Sequence, residues 1–160
     1  MLSIQLICVG KLKERYLVEA CGEYCKRLTS FCRLTTWEVE EARLPDNPSE
    51  AQIQAALSLE GRRILERARQ TAVSVALCIE GRQLSSTQLA EKLQFFTVNG
   101  KSSVSFIVGG SFGLSPEVKS FCSLQLSMSL MTFPHQLARV MLLEQLYRAF
   151  QINGNGKYHK

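Results

Sequence analysis

The feature that most constrains this chain is a regular alternation of apolar, strand-like runs with amphipathic helical segments. Five runs have the length and composition of strands, at residues 3–9, 33–39, 73–79, 104–108 and 124–126. The runs at 73–79 and 104–108 are apolar almost throughout, which is typical of strands buried on both faces of a sheet. A helical pattern follows each run. This order predicts an α/β domain of three layers with a mainly parallel sheet.

Local signals mark the start of several helices. Three serines stand where an amino-terminal cap is expected, namely Ser49, Ser85 and Ser115. The first two are followed three residues later by glutamine, which completes a capping box. The third is followed by proline, which favours the first helical turn. Gly61 lies within the second helical segment and predicts an interruption there.

Composition limits the class of protein. The chain has 160 residues, of which 46% are apolar and 21% charged, as in a single soluble globular domain. The longest largely apolar run, residues 71–79, is about half the roughly 20 residues that a membrane helix needs. We therefore expect no membrane association. The net charge of +5 suits a polyanionic partner but does not establish one.

The six cysteines form no C-x-x-C pair, and the chain has only His135 and His159 to add as metal ligands. This pattern favours free thiols packed as small hydrophobic groups, and it predicts no metal site. No positive charge precedes the first apolar run, so we expect no signal peptide. Both observations predict a protein of the reducing cytoplasm.

Three strand ends have unusual sequences, and ligands of open α/β sheets bind beyond the carboxyl ends of strands. They are residues 77–81, 109–113 and 128–135. The second carries three glycines in five positions, which lets the backbone approach a ligand closely. Its spacing matches neither a Walker loop nor the dinucleotide fingerprint. A tight strand-to-helix turn without a ligand is the alternative.

The final helical segment has an unusual start and apolar residues on more than one side. Pro134 at the first helical position places Phe133 at the cap, where its side chain accepts no hydrogen bond. Either the first amides are free for a ligand or Thr132 caps them. The main apolar stripe comprises Leu137, Val140, Leu143, Tyr147 and Phe150, whereas Met141, Leu142 and Leu146 lie off it. Burial on two sides predicts a homodimer built partly on this helix.

Two basic clusters are candidate RNA contacts. One is the polar tail from residue 153, which ends in Lys157, Tyr158, His159 and Lys160 and combines cations with an aromatic ring. A tail of this polar composition is expected to be frayed by default, yet the mixture suits phosphate contact and base stacking. The other cluster follows the first strand and comprises Lys11, Lys13 and Arg15. A solvated surface is the alternative for both.

Five ordered segments resemble one family along the whole chain: residues 9–13 (VGKLK), 107–114 (IVGGSFGL), 131–136 (MTFPHQ), 146–150 (LYRAF) and 158–160 (YHK). This combination is similar to the RlmH family of bacterial SPOUT methyltransferases. The resemblance implies S-adenosylmethionine-dependent methylation of N3 of a pseudouridine in helix 69 of 23S ribosomal RNA. It also implies action on assembled ribosomes, a homodimer, and a single domain over residues 1–160. In that domain a deep trefoil knot covers roughly 70–153, and 154–160 form a functional tail.

The resemblance also assigns roles to individual residues. The cofactor is expected to contact Leu77, Gly109, Met128, Ser129, Leu130, Met131, Thr132 and Phe133. The expected catalytic residues are His135, Arg139, Arg148, Tyr158 and His159. The two basic clusters, and not the resemblance, supply the expected RNA-binding residues, which are Lys11, Lys13, Arg15, Lys157 and Lys160. No metal is expected to take part.

The chemistry leaves two questions open. A uracil N3 becomes a good nucleophile only after it loses its proton, and the acceptor is His159, His135 or water. A histidine with an ordinary pKa of about 6.5 is a weak base for an imide, which favours positioning and charge stabilisation by arginine. The alternative function is a non-catalytic ribosome-binding or nucleotide-binding α/β module.

Overall fold

The computed structural model describes residues 1–159, in which strands and helices alternate without exception. In chain order the elements are β1 (Ser3–Val9), α1 (Arg15–Leu28), β2 (Arg33–Val39), α2 (Glu50–Ala68), β3 (Val73–Gln83), α3 (Ser86–Val98), β4 (Ser103–Val108), α4 (Pro116–Phe121), β5 (Leu124–Ser127) and α5 (His135–Asn153). The five predicted strands and all predicted helices are present. The serine caps at Ser49, Ser85 and Ser115 each accept the expected backbone hydrogen bond.

The strands form one sheet in the order β2-β1-β4-β3-β5, and every neighbouring pair is parallel. Within it, Ile7 of β1 lies opposite Trp37 of β2 and Ile107 of β4. Because all strands run the same way, all five carboxyl ends lie at one edge of the sheet. The predicted parallel α/β sheet is confirmed.

Helices cover both faces of the sheet and complete three layers. One apolar core contains Ile4, Leu6 and Cys8 of β1 together with residues of α1, α3 and α5. The other core contains Ile7 and Val9 together with residues of α2 and α4. Successive β1 side chains alternate between the two cores, as the twofold period of a strand requires.

Strand β3 is longer than its apolar run predicts, since it continues from residue 79 to Gln83. Its pairing with β5 shifts register between Leu77 and Arg82. A Cβ on Gly81 would lie 2.6 Å from the carbonyl oxygen of Gln125 in β5. Gly81 therefore permits close approach of the two backbones at the bulge, where its sequence suggested the end of the strand.

Helix α2 runs without interruption through Gly61, so the predicted break there is wrong. A Cβ on Gly61 would lie 2.7 Å from the hydroxyl oxygen of Ser115, the cap of α4. The glycine lets α2 pack closely against the start of α4. Close packing of α2 against α4, and not a bend in α2, explains why position 61 is a glycine.

Two expectations for α5 are also wrong. The helix begins at His135, so Pro134 is the cap residue in place of Phe133. The buried stripe comprises Arg139, Leu142, Leu143, Leu146 and Ala149. Leu142 and Leu146, predicted off the main stripe, are therefore core residues, whereas Leu137 is exposed. The sheet and two neighbouring helices select the buried face, which periodicity within α5 does not specify.

All six cysteines are free thiols. Burial raises the pKa of the Cys8 thiol to about 12 and that of the Cys21 and Cys32 thiols to about 11. These groups stay protonated and pack as small hydrophobic side chains.

Residues 1–159 contain no helix both long enough and apolar enough to span a bilayer. Within the same residues, no three His, Cys, Asp or Glu side chains are grouped as a metal site would require.

Candidate functional site

The three unusual strand ends meet at one cleft of about 760 Å³ at the carboxyl edge of the sheet. The cleft lies between the ends of β3, β4 and β5 and the start of α5. Seven of the eight expected cofactor contacts line it: Leu77, Gly109, Met128, Ser129, Met131, Thr132 and Phe133. Leu130 does not line the cleft and is 78% exposed. The volume falls in the range of roughly 300–1,000 Å³ that is usual for cofactor sites.

The glycine-rich loop after β4 is a tight turn. A Cβ on Gly109 would collide with the carbonyl group of Gly113. Gly113 has φ +83°, and its N–H donates to the carbonyl oxygen of Gly110 over 3.1 Å. The glycine at 109 is thus required by the turn itself, as the alternative interpretation stated. The turn also places backbone groups of Gly109 and Gly110 on the cleft wall.

The cleft has an apolar floor and a polar rim. Val108, Leu114 and Leu126 lie on the floor. At the rim, Lys119 forms an ion pair with Glu80. The hydrogen bond from Lys119 lowers the pKa of the Glu80 carboxyl group. The cleft therefore suits a ligand that combines a flat apolar group with a polar or charged tail.

The segment between β5 and α5 closes the third side. Its turn is held by Ser129, whose hydroxyl oxygen accepts the N–H of Met131 over 3.0 Å and whose carbonyl accepts the Ser127 hydroxyl over 3.0 Å. No side chain caps α5, because the cap residue is Pro134 and Thr132 does not take that role. The first helical turn therefore presents backbone N–H groups next to the cleft.

His135 is the one expected catalytic residue that lines the cleft in this chain. It is half-buried in the first turn of α5. Burial lowers the pKa of His135, with Arg139 and Lys13 adding to the effect and Glu41 opposing it. The imidazole is neutral near pH 7 and able to accept a proton.

Arg139 lies behind the cleft and not in it. Its side chain is buried, with the residue only 3% exposed. One guanidinium nitrogen donates to Glu38 Oε2 over 3.0 Å, and another donates to the carbonyl oxygen of Gly10 over 3.1 Å. Beside this pair, Lys13 N–H donates to Gln136 Oε1 over 3.0 Å. Arg139 thus ties α5 to the ends of β1 and β2.

The remaining catalytic candidates form a tail cluster with Glu144, defined as Glu144, Arg148, Tyr158 and His159. Two guanidinium nitrogens of Arg148 donate to Glu144 Oε1 over 2.9 and 2.6 Å. The Tyr158 hydroxyl donates to the same oxygen over 3.2 Å, and the guanidinium carbon lies 4.7 Å from the Tyr158 ring centroid. Arg148 Nη1 lies 3.4 Å from His159 Nδ1. The pair of Glu144 and Arg148 is therefore part of a network and not an isolated surface pair.

The tail is ordered against its own helix, which corrects the expectation of a frayed terminus. The rings of Tyr158 and Tyr147 meet edge to face with centroids 4.8 Å apart. Burial, with hydrogen bonds to Tyr24 and Glu144, raises the pKa of the Tyr158 hydroxyl to about 12. The hydroxyl therefore remains protonated as a donor at neutral pH. Aromatic contact with α5 supplies the stabilisation that the polar composition of the tail does not suggest.

The expected RNA-binding residues lie on the surface. Lys11, Lys13 and Lys157 are exposed, and Arg15 is exposed while paired with Glu19 over 2.9 Å. Lys160 lies outside the described residues.

The two groups of catalytic candidates stand at opposite ends of α5. His135 is in its first turn and Arg148 is 13 residues later, which corresponds to a rise of about 20 Å. One chain therefore does not bring His135 together with the tail cluster.

The sequence analysis did not identify three charged residues that lie in the cleft or near it. Glu38, which binds Arg139, is 101 residues away along the chain and belongs to an ordinary strand pattern. Glu41 lies near the glycine turns, and Lys119 reaches the cleft from α4. For Glu41 alone the sequence offers a signal of a site, because Glu40 and Glu41 are polar residues that directly follow the end of a strand.

Comparisons with known proteins agree with this geometry. Residues 2–159 match the family described as "Predicted SPOUT methyltransferase". Among solved structures, a methylase family protein from Haemophilus influenzae aligns with a TM-score of 0.59 at 17% identity, covering 100% of this chain and 72% of that one. A methyltransferase from Legionella pneumophila with bound SAM aligns at TM-score 0.50 and 12% identity, covering 95% and 66%. The fold is that of the SPOUT methyltransferases.

A relative in sequence narrows the class. The ribosomal RNA large subunit methyltransferase H of Streptococcus thermophilus is 46% identical over 159 residues, which are 99% of this chain and 100% of the relative. This chain therefore belongs to the ribosomal RNA large subunit methyltransferase H (RlmH) family of SPOUT methyltransferases, which confirms the family resemblance.

Proposed function

We propose that this chain is an enzyme that methylates N3 of a pseudouridine in helix 69 of 23S ribosomal RNA, with S-adenosylmethionine as methyl donor and the assembled ribosome as substrate. One observation supports it most: the three unusual strand ends, two of which carry family segments, converge on a single cleft. Full-length identity to a protein named for ribosomal RNA methylation supports the substrate. The proposed substrate places the enzyme in the cytoplasm.

The residues of the cleft fit S-adenosylmethionine. Its apolar floor suits an adenine ring, and backbone groups at Gly109 and before Pro134 suit the polar edges of the nucleoside. Lys119 and Glu80 offer both signs of charge to an amino acid tail. The Legionella neighbour, of the same fold, holds SAM. The bound cofactor supplies an electrophilic methyl group; the protein supplies its position and that of the base.

Proton removal from the target nitrogen falls to a neutral acceptor at the cleft. His135 is the histidine that lines the cleft, and burial keeps it neutral. His159 and water remain the alternatives. A modest base is sufficient when the reacting groups are held in line, because orientation provides much of the acceleration. Arg148, held by Glu144, is the cation proposed to stabilise the developing anion.

A homodimer would bring the two groups of candidates together. Within one chain they are about 20 Å apart, so the proposed site combines the cleft of one copy with the tail cluster of a second copy. Leu137, Val140 and Met141 on α5 are not buried in the single chain. Val140 and Met141 line a groove of about 490 Å³ between α3 and α5. A particle of 18.0 kDa in light scattering at micromolar concentration would contradict the dimer.

The exposed lysines are proposed as phosphate contacts. Lys11 and Lys13 flank the loop after β1, which α5 holds in place through Gln136. Lys157 precedes the ordered Tyr158, which is proposed to stack on the extruded base. Because the tail is already folded on α5, binding of RNA would cost less ordering entropy than binding by a free terminus.

We also propose that the chain is one SPOUT domain whose carboxyl half, roughly residues 70–153, is knotted, and that residues 154–160 act in function. The supporting observation is that β5 pairs with β3 and not with β4, the strand before it. A mechanically stretched, unfolded chain should be shorter than its 160 residues allow if the knot is present. Full extension would contradict the knot.

The experiment that tests the function is transfer of a labelled methyl group from S-adenosylmethionine to ribosomes that lack this modification, followed by mapping of the labelled nucleotide. We expect label at N3 of one pseudouridine in helix 69. Calorimetry with S-adenosylmethionine, ATP and NAD serves as the control for the cleft, and only the first should bind. Binding of ribosomes without transfer would support the non-catalytic module instead.

A further inference from the structure

The carboxyl half of α2 carries a group of arginines that has no role in the proposed site. We define the α2 arginine face as Arg62, Arg63, Arg67 and Arg69. Among residues 1–159, none of the four lies within 4.0 Å of a carboxylate, although Arg63 donates to the backbone carbonyl oxygen of Glu40 over 2.8 Å.

The acidic residues of α2 do not neutralise this face. Glu60 points inward, is buried, and accepts the N–H of Ala42 over 2.9 Å. Glu66 is exposed but forms no ion pair within the described chain. Glu66 lies one helical turn from Arg62 and Arg63, so the face carries four arginines and one exposed carboxylate, which leaves a net positive charge on this surface.

Aromatic rings hold two of these arginines. The guanidinium carbon of Arg67 lies 3.7 Å from the ring centroid of Trp37 on β2. That of Arg69 lies 5.9 Å from the ring of Phe121 at the end of α4. A guanidinium stacked on a ring keeps its N–H donors free in its own plane, so it can still bind a phosphate by two hydrogen bonds. Stacking also reduces the entropy lost on binding.

The α2 arginine face and the tail cluster lie on opposite faces of the sheet. Helix α2 packs on one face, whereas α5 packs on the other with α1 and α3. Arg62 and Arg69 are exposed on the outside of the α2 layer. A ligand that contacts both the α2 arginine face and the tail cluster must therefore be a macromolecule.

Attraction to the helix carboxyl terminus explains a cation in the last turn of α2. It does not explain Arg62, which lies two turns earlier, or the stacking of Arg67 on Trp37. We propose that the α2 arginine face binds the phosphate backbone of ribosomal RNA outside the helix that enters the cleft, as a second docking surface. This inference rests on the proposed function, because it assumes a large RNA substrate.

The test compares two double variants of the full chain. Arg62→Gln with Arg69→Gln removes two charges from the face and leaves Arg67 on Trp37. Lys26→Gln with Lys92→Gln removes one exposed and one half-buried charge from the opposite helical layer and is the control of equal charge change. Methyl transfer to ribosomal particles is measured against particle concentration at several salt concentrations, with S-adenosylmethionine binding measured separately.

We expect the arginine variant to raise KM for the particles about tenfold, with kcat and cofactor binding unchanged. The slope of log KM against log salt should decrease by about 1–2, as for loss of two phosphate contacts. The control should change KM less than about twofold. Equal KM values for both variants would refute the docking surface, while methyl transfer continues. Absence of transfer by the unaltered protein would instead refute the proposed function, and with it this inference.

Discussion

The two ends of α5 are built in different ways. At the cleft end, loops provide the surface: a glycine turn after β4, a serine-held turn before Pro134 and uncapped backbone N–H groups. At the tail end, side chains provide it, in a network of Glu144, Arg148 and Tyr158. Backbone groups suit a cofactor that is always the same, and charged side chains suit a polyanion. The difference fits the proposal that the two ends of α5 serve different ligands.

Removal of the tail should have the largest effect. Deletion of residues 157–160 should decrease methyl transfer to ribosomes by two to three orders of magnitude, because it removes Tyr158 and His159. Cofactor binding should remain unchanged, since the tail lies at the other end of α5. Melting temperature should fall by only a few degrees, for the loss of the Tyr158 contacts.

Two single variants separate the contributions of Tyr158 and His159 to this loss of methyl transfer. Tyr158→Leu tests stacking, and His159→Ala tests base or phosphate contact. Full activity of the truncated protein would contradict the separation of roles and leave His135 as the principal catalytic group.

A change at the cleft end should instead weaken cofactor binding and lower stability. Gly109→Val places a branched side chain against the Gly113 carbonyl group, so cofactor binding should fall more than tenfold and stability by about 2 kcal/mol. Calorimetric titration and urea denaturation measure the two. Gly22→Ala is the matched control, because nothing lies within 4 Å of its added carbon. Normal cofactor binding by Gly109→Val would show that the cleft is assigned wrongly.

Several features of both regions were predictable because they depend on neighbours in sequence. Capping boxes, apolar runs and glycine turns are local, so the strands and the three cleft walls follow from the sequence. The bond from Arg139 to Glu38 spans 101 residues, and no local pattern encodes it. The same holds for Gly61 and Gly81, whose neighbours come from α4 and β5. The tail was misjudged because its order depends on Tyr147 and Glu144 of α5.

Arg139 tests whether the cleft end depends on support from behind. Arg139→Gln leaves Glu38 and the Gly10 carbonyl without their donor, so stability should fall by about 2–3 kcal/mol in urea denaturation. If Arg139 is a positioning residue, KM for the cofactor should rise while kcat changes little. A large loss of kcat at full stability would return Arg139 to the catalytic group.

The pH dependence of activity should show the smallest effect. Because burial lowers the pKa of His135, its neutral form prevails above its ordinary pKa of about 6.5 and is lost only at lower pH. Activity that needs neutral His135 should therefore decrease only as pH falls below this ordinary value. His135→Gln should lower the rate several-fold and flatten this acid limb in a kcat profile. If the acid limb were unchanged in this variant, the titration that causes it would belong to another group.

Complementation between two inactive variants tests the central claim, that the cleft of one copy works with the tail of another. One variant carries Thr132→Trp, which fills the cleft from an exposed loop position, and the other lacks residues 157–160. Each should be inactive alone. Mixed and allowed to exchange subunits, they should regain about one quarter of the unaltered activity, because half the dimers are mixed and each has one complete site. No activity in the mixture, with mixed dimers demonstrated by mass, would show that cleft and tail act within the same chain.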